Sequence, residues 1–331
     1  MEPPAAPDLA AFFKRRVGQL PPAADVCEGV WQDTLYAPLA EFLGRPGKLL
    51  RARLVRHGWQ LSGARGEPPE TLCLLPEILH SASLIVDDIQ DGAVARRGGP
   101  ALHRMIGPER ALNAANWLYF WPNRLLDELR LSTPRRRACA DLITATLLDC
   151  HRGQALDLGG EIWTLPQDAL PALVAEQSRL KTGRLTAMCV GLGAIAAGAR
   201  PGCVALLQHF GEQVGVALQM LDDLTAVLLP ARHDKAGEDI GAGRPTFAWV
   251  LAAQRASEFS YRALQQQARA AAGGDWRPVC AQLAEVIGPD ALDHPRKALT
   301  EAAVLLSEGG LPAAAVQDVL TDLERLERAY G

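Results

Sequence analysis

Long stretches of this 331-residue chain repeat apolar side chains every three or four positions, and almost none alternate every second position. That spacing paints one face of an α-helix and does not suit a half-buried strand, so it predicts an all-α protein. The stretches are 110–130, 137–158, 168–198, 202–229, 247–271 and 312–329. In the last of them Val316, Val319, Leu320, Leu323 and Leu326 form a stripe behind Pro312, a favoured residue in a first helical turn. Breaks rich in proline or glycine fall at Pro21-Pro22, 63–69, Gly98-Gly99-Pro100, Thr133-Pro134, 198–202 and 230–245. None is long enough to link independent domains. The expectation is one domain over residues 1–331, a helical bundle with a central cavity, its motifs in about 40–250 and further helices in about 250–331. No tandem repeat is evident. Gly191-Leu192-Gly193 with Gly198 imitates a dinucleotide-binding loop, but no strand precedes it, and close helix packing through small residues is the simpler reading.

Apolar residues make up 48% of the chain and its net charge is only -4, which allows a large core and gives no bulk attraction to nucleic acid. Seven cysteines are scattered singly, with no CxxC pair, as expected of reduced thiols in the cytoplasm. At the N-terminus acids precede the basic cluster, the reverse of a secretory signal. The run without charge from Thr186 to Ala199 is 14 residues, too short to span a membrane.

Two aspartate clusters interrupt this apolar pattern. On a helix His80, Asp87 and Asp91 share a face, at i, i+7 and i+11, with Asp88 beside them. Gln219, Asp222 and Asp223 repeat the arrangement at i, i+3 and i+4. Carboxylates beside Leu84-Ile85-Val86 and Met220-Leu221 lose solvation and repel one another, which a shared divalent cation would offset. Oxygen donors without His or Cys at metal spacing point to Mg²⁺, an ion that completes its shell with water and substrate phosphate. If the two helices are neighbours, their carboxylates face one cavity. A solvated helix face is the plain alternative for either cluster alone.

Cations suited to phosphate follow the same order. Arg96 and Arg97 precede Gly98-Gly99 at a turn, Lys48 and Arg51 follow Gly47 one helical turn apart, and Lys181-Thr182-Gly183 and Lys235 add more. Enough cations for two anions, with acids for metal, suggest two phosphorylated substrates.

These segments resemble a known family, the all-trans isoprenyl diphosphate synthases. EILHSASLIVDDIQDGAVARRGGPALH is similar to the family's first aspartate-rich region, and QMLDD with KAGEDIGAGRPT to its second; GKLLR, KTG and HRGQALDL fall in the same order. LNAANWLYF and the KTG form are most similar to the eukaryotic type of geranylgeranyl diphosphate synthase. The resemblance implies an Mg²⁺-dependent prenyltransferase, with three Mg²⁺ per active site, that joins isopentenyl diphosphate to an allylic diphosphate, and a homodimer. It implies that Asp87, Asp88, Asp91 and Asp222 hold metal, with Asp223 and Asp239 in support, and that Arg96, Lys181 and Lys235 grip the allylic diphosphate. Thr182 and Gln219 would lie near the reacting carbon. Gly47, Lys48, Arg51, His80 and Arg97 correspond to the isopentenyl diphosphate site, and Arg244 stands where the family has a lysine. Ala82 and Ser83, at the positions that set product length, are small and imply an open floor. Ala226 departs from the usual third aspartate. Two other readings are a terpene cyclase on the same fold, which needs no second basic pocket, and a regulatory subunit, in which aspartates would be lost.

Overall fold

A computed structural model of the chain describes residues 8–271 and 274–330. It is helical nearly throughout, as the three-and-four spacing predicts. Helices Pro108–Asp127, Thr133–Gly159, Pro201–Leu228 and Ala313–Tyr330 match four of the periodic stretches. The stretch 168–198 is Leu170–Ser178, a π-helical turn at Arg179–Gly183, and Arg184–Ala197 in succession. The stretch 247–271 is two helices, Phe247–Arg255 and Glu258–Ala271. One expectation is corrected: 230–245, read as a break, contains a 3-10 turn Pro230–Arg232 and a helix His233–Gly241. The glycines near 191 act in packing, since a Cβ on Gly191 would lie 2.8 Å from Gln208, and Gly198 ends its helix in the left-handed conformation at φ 86°.

The contacts divide into two compact units, Met1–Arg56 with Gly66–Ala140, and His57–Arg65 with Asp141–Gly331. In the first, Glu70–Gln90 packs against Pro108–Asp127, and Phe12, Phe13, Leu74, Ile78, Ile85, Leu118 and Leu125 fill the space around them. Trp117 stacks on Trp121 at 5.0 Å between ring centres, and Phe13 meets Trp121 edge-on at 5.4 Å. In the second, Leu224, Val227, Trp249, Leu251, Tyr261, Leu283 and Ile287 belong to one buried cluster. Pro201–Leu228 runs through this unit with thirteen buried residues, so its apolar character is that of a core helix. No single helix among the described residues is long and apolar enough to cross a membrane.

A short hairpin in the first unit pairs Ala95 with Pro100 and Arg96 with Gly99. Its two turn residues, Arg97 (φ 51°) and Gly98 (φ 79°), both take positive φ, the signature of a type I′ turn. Buried Arg45 braces it by donating to Arg96 O at 2.9 Å and Pro100 O at 2.8 Å. Gly99 is required there because a Cβ would lie 2.8 Å from the Arg45 guanidinium carbon.

Candidate active site

In the first unit the aspartates close a helix. Asp87 and Asp88 occupy the last turn of Glu70–Gln90 and Asp91 is its C-cap, so all three sit at the negative end of the helix dipole. That position is unfavourable for acids unless cations answer them. Asp88 is 0% exposed; its Oδ1 accepts from Arg96 Nε at 2.7 Å and from Arg96 Nη2, while its Oδ2 is buried with no hydrogen-bond partner. Asp87 is half-buried and Asp91 exposed. Ala82 is fully buried in the core of this unit, whereas Ser83 is half-buried and donates its hydroxyl to His80 O at 2.8 Å.

The basic set of this unit gathers around His80. Burial first, then the charges of Arg51, Arg97 and Arg96, hold the His80 imidazole well below its ordinary pKa, so it is neutral near pH 7. Arg97 is pulled down by burial and by its cationic neighbours Arg51, Arg96 and Arg45, and supported by Glu77. A Cβ on Gly47 would lie 3.7 Å from the Arg97 guanidinium carbon, which puts this glycine against the cation. Lys48 is exposed and Arg51 is half-buried. A crowd of cations around a neutral imidazole is suited to a polyanion such as a diphosphate.

In the second unit acids and cations are already engaged. Asp222 Oδ1 accepts from Arg232 Nη2 at 2.6 Å and its Oδ2 from Lys235. Asp223, 7% exposed, accepts from Phe247 N at 2.8 Å and Gln219 Nε2 at 2.8 Å. Burial, with Asp239 and Asp157 adding to it, outweighs those two hydrogen bonds and pushes its carboxyl up to about 7. Thr182 donates to Gln219 Oε1 at 2.7 Å. Lys181 Nζ reaches Asp157 Oδ2 at 2.8 Å, and Arg244 Nη1 donates to Asp157 O at 2.5 Å. Ala226 is 1% exposed within the apolar core, so the place of the third aspartate faces packing. A cavity of about 300 Å³ lined by Val174, Val216, Met220, Phe247 and Val250 holds none of the sequence-predicted site residues.

The carboxylate donors and the orphaned Asp88 Oδ2 fit a hard divalent cation. Among the described residues no three His, Cys, Asp or Glu side chains converge at metal distance. Carboxylates in both units are held by Arg96, Lys181, Arg232 and Lys235 instead. None of the seven cysteines is in a disulfide.

Sequence reasoning missed Asp157, Glu77 and Arg232. Asp157 stands inside HRGQALDL and Glu77 lies one helical turn before His80, so both carried a signal. Arg232 carried none, because only the fold brings residue 232 back to Asp222.

A family model described as polyprenyl synthetase matches residues 32–275. Geranylgeranyl pyrophosphate synthase olcC of Penicillium canescens is 29% identical over 305 residues, 88% of this chain and 85% of that protein. Geranylgeranyl pyrophosphate synthase spyE of Aspergillus fumigatus is 31% identical over 216 residues, but the match spans 63% of this chain and 56% of that protein. A polyprenyl synthase from Caulobacter crescentus CB15, solved in complex with calcium and isoprenyl diphosphate, is similar in fold with TM-score 0.74 and 22% identity over 97% of this chain and 93% of that one.

Proposed function

Since the chain belongs to the polyprenyl synthetase family, we propose that it condenses isopentenyl diphosphate head to tail with an allylic diphosphate, giving a trans-prenyl diphosphate whose most fitting length is geranylgeranyl. Relatives described as geranylgeranyl pyrophosphate synthases support that length. Asp87, Asp91 and Asp222 are the residues that would hold Mg²⁺, with Asp88, Asp223 and Asp239 behind them. The ion, when bound, draws negative charge off the departing diphosphate.

The chain's own groups do the rest. Lys181 and Lys235 exchange Asp157 and Asp222 for phosphate oxygens, and Arg96 stays on buried Asp88, so the charge that develops on the leaving group meets cations already in place. Arg244 steadies this side through Asp157. The Thr182 proton is committed to Gln219, which leaves the hydroxyl lone pairs for the allylic cation. Lys48, Arg51 and Arg97, with Gly47 and neutral His80, hold the second diphosphate, and its double bond attacks the cation. The proton then lost goes to the released diphosphate, so no side-chain base is needed. Water must be excluded while the cation exists. Small, half-buried Ser83 is assigned to the end of the product chain, while Ala82 beside it is sealed in the core of the first unit. A cytoplasmic homodimer fits free thiols and the family.

The observation that carries condensation over cyclisation is a second set of cations, Arg51 and Arg97, whose charges bear on His80, since a cyclase has one diphosphate to hold. Steady-state kinetics test it. Arg97→Ala should raise KM for isopentenyl diphosphate at least tenfold and leave KM for the allylic substrate within about twofold. Unchanged affinity for isopentenyl diphosphate would remove this pocket.

A further inference from the structure

Helix Leu50–Leu61 begins on a residue that cannot cap it. Leu49 accepts the first helical bond, from Arg53 N at 3.2 Å, which makes it the N-cap, yet its side chain offers no acceptor and its backbone is held at φ 45°. The second and third residues of the helix, Arg51 and Ala52, therefore present N–H groups with no partner of their own. Both find the same atom. Glu77 Oε1, on the helix Glu70–Gln90, accepts from Arg51 N at 2.9 Å and from Ala52 N at 3.1 Å, and Glu77 is only 2% exposed. Its charge also opposes the mutual crowding of Arg97 with Arg51, Arg96 and Arg45.

A buried carboxylate whose charge acts on Arg97 invites a reading as one more ion pair. Its geometry says more, because its hydrogen bonds come from backbone N–H groups in the first turn of the helix Leu50–Leu61, just after Lys48 and including that of Arg51. An apolar N-cap with positive φ is a poor way to start a helix, and an acceptor supplied from another helix makes good the missing cap while Leu49 keeps its strained φ. The acceptor also ties that segment to the helix that carries His80, three residues beyond Glu77.

We propose that Glu77 is a positioning residue for the isopentenyl diphosphate pocket: it caps the helix Leu50–Leu61 from outside and so fixes Lys48 and Arg51 relative to His80 and Arg97. This rests on the assignment of that pocket under Proposed function. Glu77 touches no substrate in this scheme. It acts through the backbone of the Gly47–Arg51 segment.

The test compares Glu77→Gln, which keeps an oxygen acceptor, with Glu77→Met, which fills the same volume without one. Glu77→Met is expected to raise KM for isopentenyl diphosphate at least tenfold, hold KM for the allylic diphosphate within about twofold, and speed amide exchange in a peptide covering residues 50–55. Glu77→Gln is expected to stay within about threefold of the parent on both constants and to keep the slow exchange. The proposal is overturned if Glu77→Met binds isopentenyl diphosphate like the parent, or if both constants rise together. It is equally overturned if Glu77→Gln loses affinity tenfold, which holds as a test even where Glu77→Met does not fold. Arg97→Ala run in parallel separates the two claims. If it leaves isopentenyl diphosphate binding intact the pocket itself is wrong, and if it weakens binding while Glu77→Met does not, only the role of Glu77 is wrong.

Discussion

Gly215→Ala asks how tightly the Lys181-Thr182 turn is held to the second aspartate helix. A Cβ at position 215 would stand 2.0 Å from Thr186 Oγ1, 2.8 Å from Gly183 Cα and 2.9 Å from Thr182 O. The Thr186 hydroxyl is anchored near Gly211 O at 2.7 Å and Gly183 O at 2.8 Å, and the other two contacts are backbone. No rotamer change relieves them, so the turn Arg179–Gly183 must move as a body. Overpacking of this kind costs about 1–3 kcal/mol. At this chain length the unfolding entropy is about 0.7 kcal/mol per kelvin, so the melting temperature should drop by about 1–4 °C. The same displacement opens the Thr182 to Gln219 hydrogen bond, now 2.7 Å, and shifts Lys181 on Asp157. Calorimetry and kinetics together provide the assay: a lower melting temperature with KM for the allylic diphosphate raised several-fold and KM for isopentenyl diphosphate unmoved. A variant that melts with the parent and binds the allylic substrate equally well would refute the claim that helix contact at Gly215 sets the turn.

Arg96→Ala strips the partner from fully buried Asp88 and should destabilise the protein by about 3–5 kcal/mol in denaturant titrations, with Asp88→Asn in the same chain recovering most of it. Asp223 binds its proton more tightly folded than unfolded, so its contribution to metal-free stability is full below about pH 4 and is lost as pH rises through about 7. The loss is at most about 4 kcal/mol; the stability difference between the parent and Asp223→Asn should trace that fall, and a flat difference would contradict it. Ser83→Phe should shorten the product as read by mass spectrometry, whereas Ala82→Phe should chiefly lower the melting temperature, because Ala82 is sealed in the first unit's core. Asp87→Ala should abolish turnover with every allylic substrate, and retained turnover would remove it from the metal site.

The helices were legible because burial repeats with the helical period: Val316, Val319, Leu323 and Leu326 are all buried, as their spacing requires. The carboxylate groups were legible because an acid beside Ile85 or Leu221 has no use for an apolar neighbour. Local pattern fails where a distant residue decides. The break between Phe247–Arg255 and Glu258–Ala271 carries one short local mark, Ser257, whose hydroxyl accepts from Ser260 N at 3.2 Å at the start of the second helix, and no residue type marks the π turn at Arg179–Gly183. Glu77 reads from sequence as an acid on an apolar helix, and only the fold brings it to the open end of Leu50–Leu61. The partners of Asp222 were hidden for the same reason, since Arg232 arrives through a turn that sequence marks only as glycine and proline rich.

Incubating the purified protein with Mg²⁺ and farnesyl diphosphate, with and without isopentenyl diphosphate, and weighing the products tests the central claim most directly. Condensation predicts a diphosphate one isoprene unit longer, geranylgeranyl diphosphate, formed only when isopentenyl diphosphate is present. A hydrocarbon or alcohol released without it would contradict the account and make the protein a cyclase.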